Sequence, residues 1–202
     1  MLRRNPRLRS AAIVAMGLAF LALPACGGGS DDTQSSGPVA KFTADTPTPP
    51  AGTIALLPGG STGASVNVRV TVTGVDGFFG AAFRVTYDTS ALLFRGMDDS
   101  GSFLRTGVTN ADVIFLSDHV STAGVVVITA TRKDPAVVPP VDVVGPSDLV
   151  VLNFTARKQI TAAAPEGRLD FADPKQVCDG TLAAPACGAI TVTWSGGGVS
   201  AH

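Results

Sequence analysis

Ser65-Val-Asn-Val-Arg-Val-Thr-Val-Thr73 decides the fold class. Val66, Val68, Val70 and Val72 alternate with Asn67, Arg69, Thr71 and Thr73. Successive side chains of a strand point to opposite faces, so period two over eight residues predicts a strand buried on one face. The same reading extends outward. Phe79, Ala81, Phe83, Val85 and Tyr87 fall on one face of a second strand, with Gly80, Ala82, Arg84 and Thr86 on the other. Leu92 and Phe94 open a third after the Asp88-Thr-Ser turn. Val113 to Leu116 and Gly124 to Arg132 are β-branched runs suited to pleated surfaces. Leu149 to Ala156, Arg168 to Phe171 and the alternating Ile190, Val192 and Trp194 follow, and Ile54 to Leu57 precedes. That makes about nine short strands separated by Gly/Pro turns, the pattern of an all-β sandwich or barrel.

Composition supports this. The 202 residues include 23 Gly, 14 Pro and fifteen Asp against a single Glu. Asp favours turns and disfavours helix interiors. A net charge of -1 supplies no basic excess for phosphate neutralisation, which excludes nucleic-acid binding. Two histidines leave little for His-based catalysis.

The N-terminus reads as an export signal. Arg3, Arg4, Arg7 and Arg9 precede the apolar run Ala11 to Leu23. Thirteen helical residues rise roughly 20 Å, short of the ~30 Å hydrocarbon core, so residues 1–25 are a signal peptide rather than a membrane span. Leu23-Pro-Ala-Cys26 resembles the lipobox of bacterial lipoproteins, which implies cleavage before Cys26 and its lipidation. Loss of four Arg leaves a net charge of -5. Gly27-Gly-Gly-Ser-Asp-Asp-Thr-Gln-Ser-Ser-Gly-Pro38 and the Pro-rich Thr46 to Gly52 read as a tether over 26–52. The folded domain is expected over 53–199. The localisation expected is a bacterial cell envelope, lipid-anchored at the outer membrane or cell surface.

Cys178 and Cys187 are then the remaining thiols. In an exported chain such a pair reads as a disulfide. A metal would need further ligands, and no His or second Cys pair supplies them nearby.

The strand series resembles the cohesins and related bacterial carbohydrate-binding modules. The residues that carry the likeness are Val66 to Gly74, Gly80 to Asp88, Ala91 to Phe94 and Gly101 to Leu104. It resumes with Gly124 to Ala130, Leu149 to Ala156 and Ile190 to Gly197. Tyr87-Asp88 followed by Leu92 and Phe94 is the most specific part. The resemblance implies a nine-stranded β-sandwich of jelly-roll topology. It implies a non-catalytic module with no cofactor, binding carbohydrate or a protein partner such as a dockerin. In cohesins one sheet face receives the dockerin, and the likeness places Gly80, Ala82, Arg84, Thr86, Val127, Thr129 and Thr131 on that face. The alternative reading is a structural or assembly lipoprotein of a cell-envelope complex.

Other candidates reduce to ordinary structure. Asp98-Asp99-Ser-Gly101 lacks the oxygen spacing of a calcium loop and reads as a turn. Phe78 is the one aromatic expected to be exposed for sugar stacking, and Trp194 is expected in the core. Asp118-His119 is the only place an acid–base pair begins, and it reads as a loop histidine. Asn153-Phe-Thr155 matches a glycosylation sequon within a strand and is given no role.

Overall fold

The computed structural model describes residues 40–160, 167–181 and 186–200. The signal peptide, Cys26 and the Gly27–Pro38 segment lie outside these residues. Thirteen strands are present among them: β1 (Lys41–Ala44), β2 (Thr53–Thr62), β3 (Ser65–Thr73), β4 (Val75–Tyr87), β5 (Leu92–Asp98), β6 (Val113–Val120), β7 (Val125–Arg132), β8 (Val141–Val143), β9 (Ser147–Ala156), β10 (Gly167–Asp179), β11 (Ala186–Ile190), β12 (Thr193–Ser195) and β13 (Gly197–Ser200). One sheet runs β1-β13-β10-β4-β7-β6, with β11 added to β10 and β8 to β4. The other runs β12-β2-β3-β9-β5. β12 pairs with β2 in parallel, and the remaining pairs are antiparallel. No helix among the described residues is long and apolar enough to cross a membrane.

The alternation read from the sequence sets the facing of both sheets. Val66, Val68, Val70 and Val72 on β3 are fully buried, as are Leu152 on β9 and Val85 on β4. Rings bridge the layers. Phe83 packs 5.5 Å from Phe171 and 5.7 Å from Trp194, while Phe154 sits between Tyr87 and Phe94 at 5.4 and 5.5 Å. Half-buried Trp194 belongs to this core rather than to a surface platform.

The strand count exceeds the nine expected because the short β1, β8, β11 and β13 add to them, and two expected strands also run on through Pro and Gly. β2 continues past Leu57 through Pro58-Gly59-Gly60 with a register shift. β10 continues past Phe171, shifting register between Ala172 and Gln176 around Asp173-Pro174-Lys175. A bulge lets the ladder step over a residue that lacks an N–H and then resume.

The expected domain start at 53 is corrected. β1 lies inside the expected tether and pairs along its length with β13. Phe42 is 4% exposed and packs where a side chain at Gly197 would collide with its ring. The Gly-rich C-terminal strand therefore leaves the room β1 needs. Arg168 on β10 then reaches Asp45 with two bonds of 2.9 and 2.7 Å and also holds Asp170. These charges are largely exposed, so Phe42 burial rather than the ion pair anchors the strand.

Cys178 and Cys187 form a disulfide across the β10–β11 pair. Its contribution is estimated from the loop it closes, nine positions in sequence. Chain entropy assigns such a loop roughly 2.5–3 kcal/mol. The double variant Cys178→Ser/Cys187→Ser should lose about that much in urea denaturation with the fold retained. An unchanged midpoint would show that the bridge constrains nothing in the unfolded chain.

Candidate docking face

Strand β4 presents Gly80, Ala82, Arg84 and Thr86 away from the core, because Ala81, Phe83, Val85 and Tyr87 are buried between them. Pairing with β7 sets Gly80 beside Thr131, Ala82 beside Thr129, Arg84 beside Val127 and Thr86 beside Val125. Pairing of β7 with β6 extends each row by one strand: Leu116 beside Thr129, Asp118 beside Val127 and Val120 beside Val125. Directly paired residues share a face. The seven residues expected from the sequence therefore lie on one outer surface, and Leu116, Asp118 and Val120 join them.

The surface is not uniform. At one end Gly80 is buried, and a side chain there would collide with Thr131. Thr131 donates its hydroxyl to the Arg132 carbonyl at 2.9 Å. At the other end Leu116, Val120 and Val127 are 62%, 49% and 37% exposed. Three of the five exposed large apolar side chains of the described residues thus cluster here. The β10 bulge forms a wall. Ala82, Arg84, Val127, Thr129, Pro174 and Gln176 line a shallow depression of about 150 Å³ against it. Arg84 makes one long bond, 3.3 Å to the Asp173 carbonyl, and has no carboxylate partner among the described residues.

The outer surface of the five-stranded sheet differs. Arg69 pairs with Asp148 at 3.2 Å, and Thr71 donates to the same carboxylate. Arg95 donates to Thr155. Arg69, Thr71 and Arg95 thus find partners within the protein, half-buried Asn153 lies on the same face, and the buried Thr53 and Thr73 hydroxyls have no partner among the described residues. The surface whose aliphatic side chains are exposed is the better candidate for a partner.

The remaining candidates resolve structurally. Phe78 is corrected: it is fully buried and packs edge-on against Phe103 at 5.2 Å. Register shifts on both neighbours of β4, between Val75 and Phe78 and between Cys178 and Asp179, turn it inward. None of the eleven aromatic residues among those described falls in the exposed class. His119 lies on strand β6 rather than in a loop, its ring 5.5 Å from Phe94. Asp98 accepts the Ser100 N–H at 2.9 Å, a bond that holds its pKa below the usual carboxylate range. Asp99 pairs with Arg105 at 2.7 Å. No group of three or more His, Cys, Asp or Glu among the described residues is placed to hold a metal.

Sequence reasoning missed Leu116 and Val120 as surface residues. The apolar run predicts a strand only as far as Leu116, because Ser117-Asp118-His119 interrupts it. The signal was present in the alternation of Leu116, Asp118 and Val120.

Two packed β-sheets, one with a partly apolar outer face, define a β-sandwich. The cohesin domain family matches residues 54–174, and the chain belongs to that family. Solved structures share the fold. A type II cohesin domain from the cellulosome of Acetivibrio cellulolyticus is 13% identical, with a TM-score of 0.54 over 81% of this chain and 95% of that one. The sixth cohesin of the same organism's scaffoldin B, in complex with a Cel5 dockerin mutant, is 21% identical, with a TM-score of 0.51 over 81% and 98%. Type II cohesin A11 from Bacteroides cellulosolvens is 13% identical, with a TM-score of 0.52 over 80% and 98%. No curated protein matches significantly by sequence.

Proposed function

We propose that the chain is a non-catalytic docking module whose outer β4–β7–β6 face binds a protein partner of dockerin type outside the cytoplasm. The observation that carries this reading is that exposed Leu116, Val120 and Val127 share one outer face with Arg84, which lacks a carboxylate partner among the described residues. Aliphatic side chains beside one open cation suit a partner surface that is mostly apolar and offers a carboxylate. Sugar-binding surfaces rely on exposed rings that stack on the pyranose face. No described aromatic is exposed, which favours protein over carbohydrate. The basic and apolar N-terminal segments ending in Leu23-Pro-Ala-Cys26 support export and lipid attachment at Cys26, which would display the module on a membrane surface.

The test uses the chain as bait against the secreted and envelope proteins of its source organism, with a polysaccharide array in parallel. The expected result is capture of a protein and an empty array. Saturable binding to a polysaccharide with no protein captured would contradict the reading.

A further inference from the structure

We propose that the free edge of β6 is a strand-pairing surface for a second copy of this chain, and that Asp118 keeps it closed. β6 ends the eight-stranded sheet, and among the described residues no strand pairs with its other side. From Leu116 to Val120 every residue is exposed.

The hydrogen-bond alternation fixes which backbone groups point outward. Tyr87 donates its N–H to the Gly124 carbonyl. By the antiparallel alternation, Val126, Ile128 and Ala130 of β7 then face β4, and Val125, Val127 and Thr129 face β6. On β6 the N–H groups of Leu116, Asp118 and Val120 are thus directed to β7, and those of Phe115, Ser117 and His119 to the open side. The bond from the His119 N–H to the Asp118 carboxylate, at 2.8 Å, agrees with this.

Two copies of β6 related by a two-fold axis must bring residues of the same face together, so the axis passes through a residue. Centred on Ser117 or on His119, an exposed Leu116 or Val120 meets the other copy's Asp118. Centred on Asp118, Leu116 meets Val120 of the other copy, and the outward groups of Ser117 and His119 complete the ladder. This is the matched register, but it sets Asp118 against its own copy in a non-hydrogen-bonded pair, where side chains are closest. Like charges there oppose pairing. The same carboxylate also occupies the His119 N–H that the second copy would need. Asp118 blocks the edge in both ways, as charges on exposed edges do.

Sedimentation velocity of the full-length chain tests this without any partner, so its outcome is separate from that of the docking reading. The native chain should sediment as a monomer. Asp118→Thr, neutral and a good strand former, should give a concentration-dependent species of twice the chain mass. Asp118→Ser should give the same species. Adding Ser117→Pro to Asp118→Thr should restore the monomer, because the Ser117 N–H is used only on the open side. Neutral variants that stay monomeric at every concentration would overturn the proposal. So would a dimer that survives Ser117→Pro, or a native chain that is already dimeric.

Discussion

Phe83→Ala should cost about 3–5 kcal/mol of folding stability, the range for removing a large aromatic from a packed core. Phe83 is 1% exposed and stands where the two sheets meet. Its ring contacts Phe171 on the neighbouring strand of its own sheet and Trp194 on the opposite sheet. Truncation removes both ring contacts and leaves a cavity. Neither remaining ring fills it freely, because Phe171 and Trp194 already pack on each other at 4.8 Å. The change is read as a shift in the denaturant midpoint at constant slope. A loss below about 1 kcal/mol would place Phe83 in a region able to collapse.

Arg132→Met should cost a similar amount, about 3–5 kcal/mol, by a different route. Arg132 is 4% exposed. Its guanidinium donates to three backbone carbonyls: Leu104 at 3.0 Å, Thr106 at 2.6 Å and Pro139 at 2.6 Å. Burial works against its charge and lowers its pKa. The three carbonyls compensate, and the group ties the segment after β5 to the loop after β7. Methionine preserves much of the stem but none of the donors. Each buried acceptor left unmade costs about 1–3 kcal/mol. Calorimetry should show the loss, and faster hydrogen exchange over 103–109 and 134–140 would localise it. Unaltered exchange in those segments would mean that they hold together without the clamp.

These two residues also mark what was legible in the sequence. The period of its strand alone points Phe83 inward, and its burial agrees because β4 keeps its alternation from Ala81 to Tyr87. Arg132 gave no sign of its role. It ends an apolar strand, and its partners are backbone groups 28, 26 and 7 positions away, which leave no trace in side-chain pattern. Phe78 failed for a related reason. Alternation propagates facing only while register holds, and the shifts beside it reverse the expected side. β1 escaped notice because four residues are too few to show a period. Its pairing depends on Gly197 at the far end of the chain. Strand period and family likeness point to the face itself, and only the β6–β7 register adds Leu116 and Val120 to it.

The central claim is that a protein partner docks on the β4–β7–β6 face. The most direct measurement is the affinity of the captured partner for the native chain and for Arg84→Glu/Val127→Asp, with Arg95→Glu on the opposite sheet as control. Val127→Asp places a second carboxylate directly opposite Asp118, which opposes strand pairing, so the denaturant midpoint of each variant is measured alongside to separate lost binding from lost stability. The account predicts at least a hundredfold weaker binding for the double variant, a loss of about 2.7 kcal/mol, and native affinity for Arg95→Glu. Native affinity in the double variant, or a loss confined to Arg95→Glu, would move the docking site off this face.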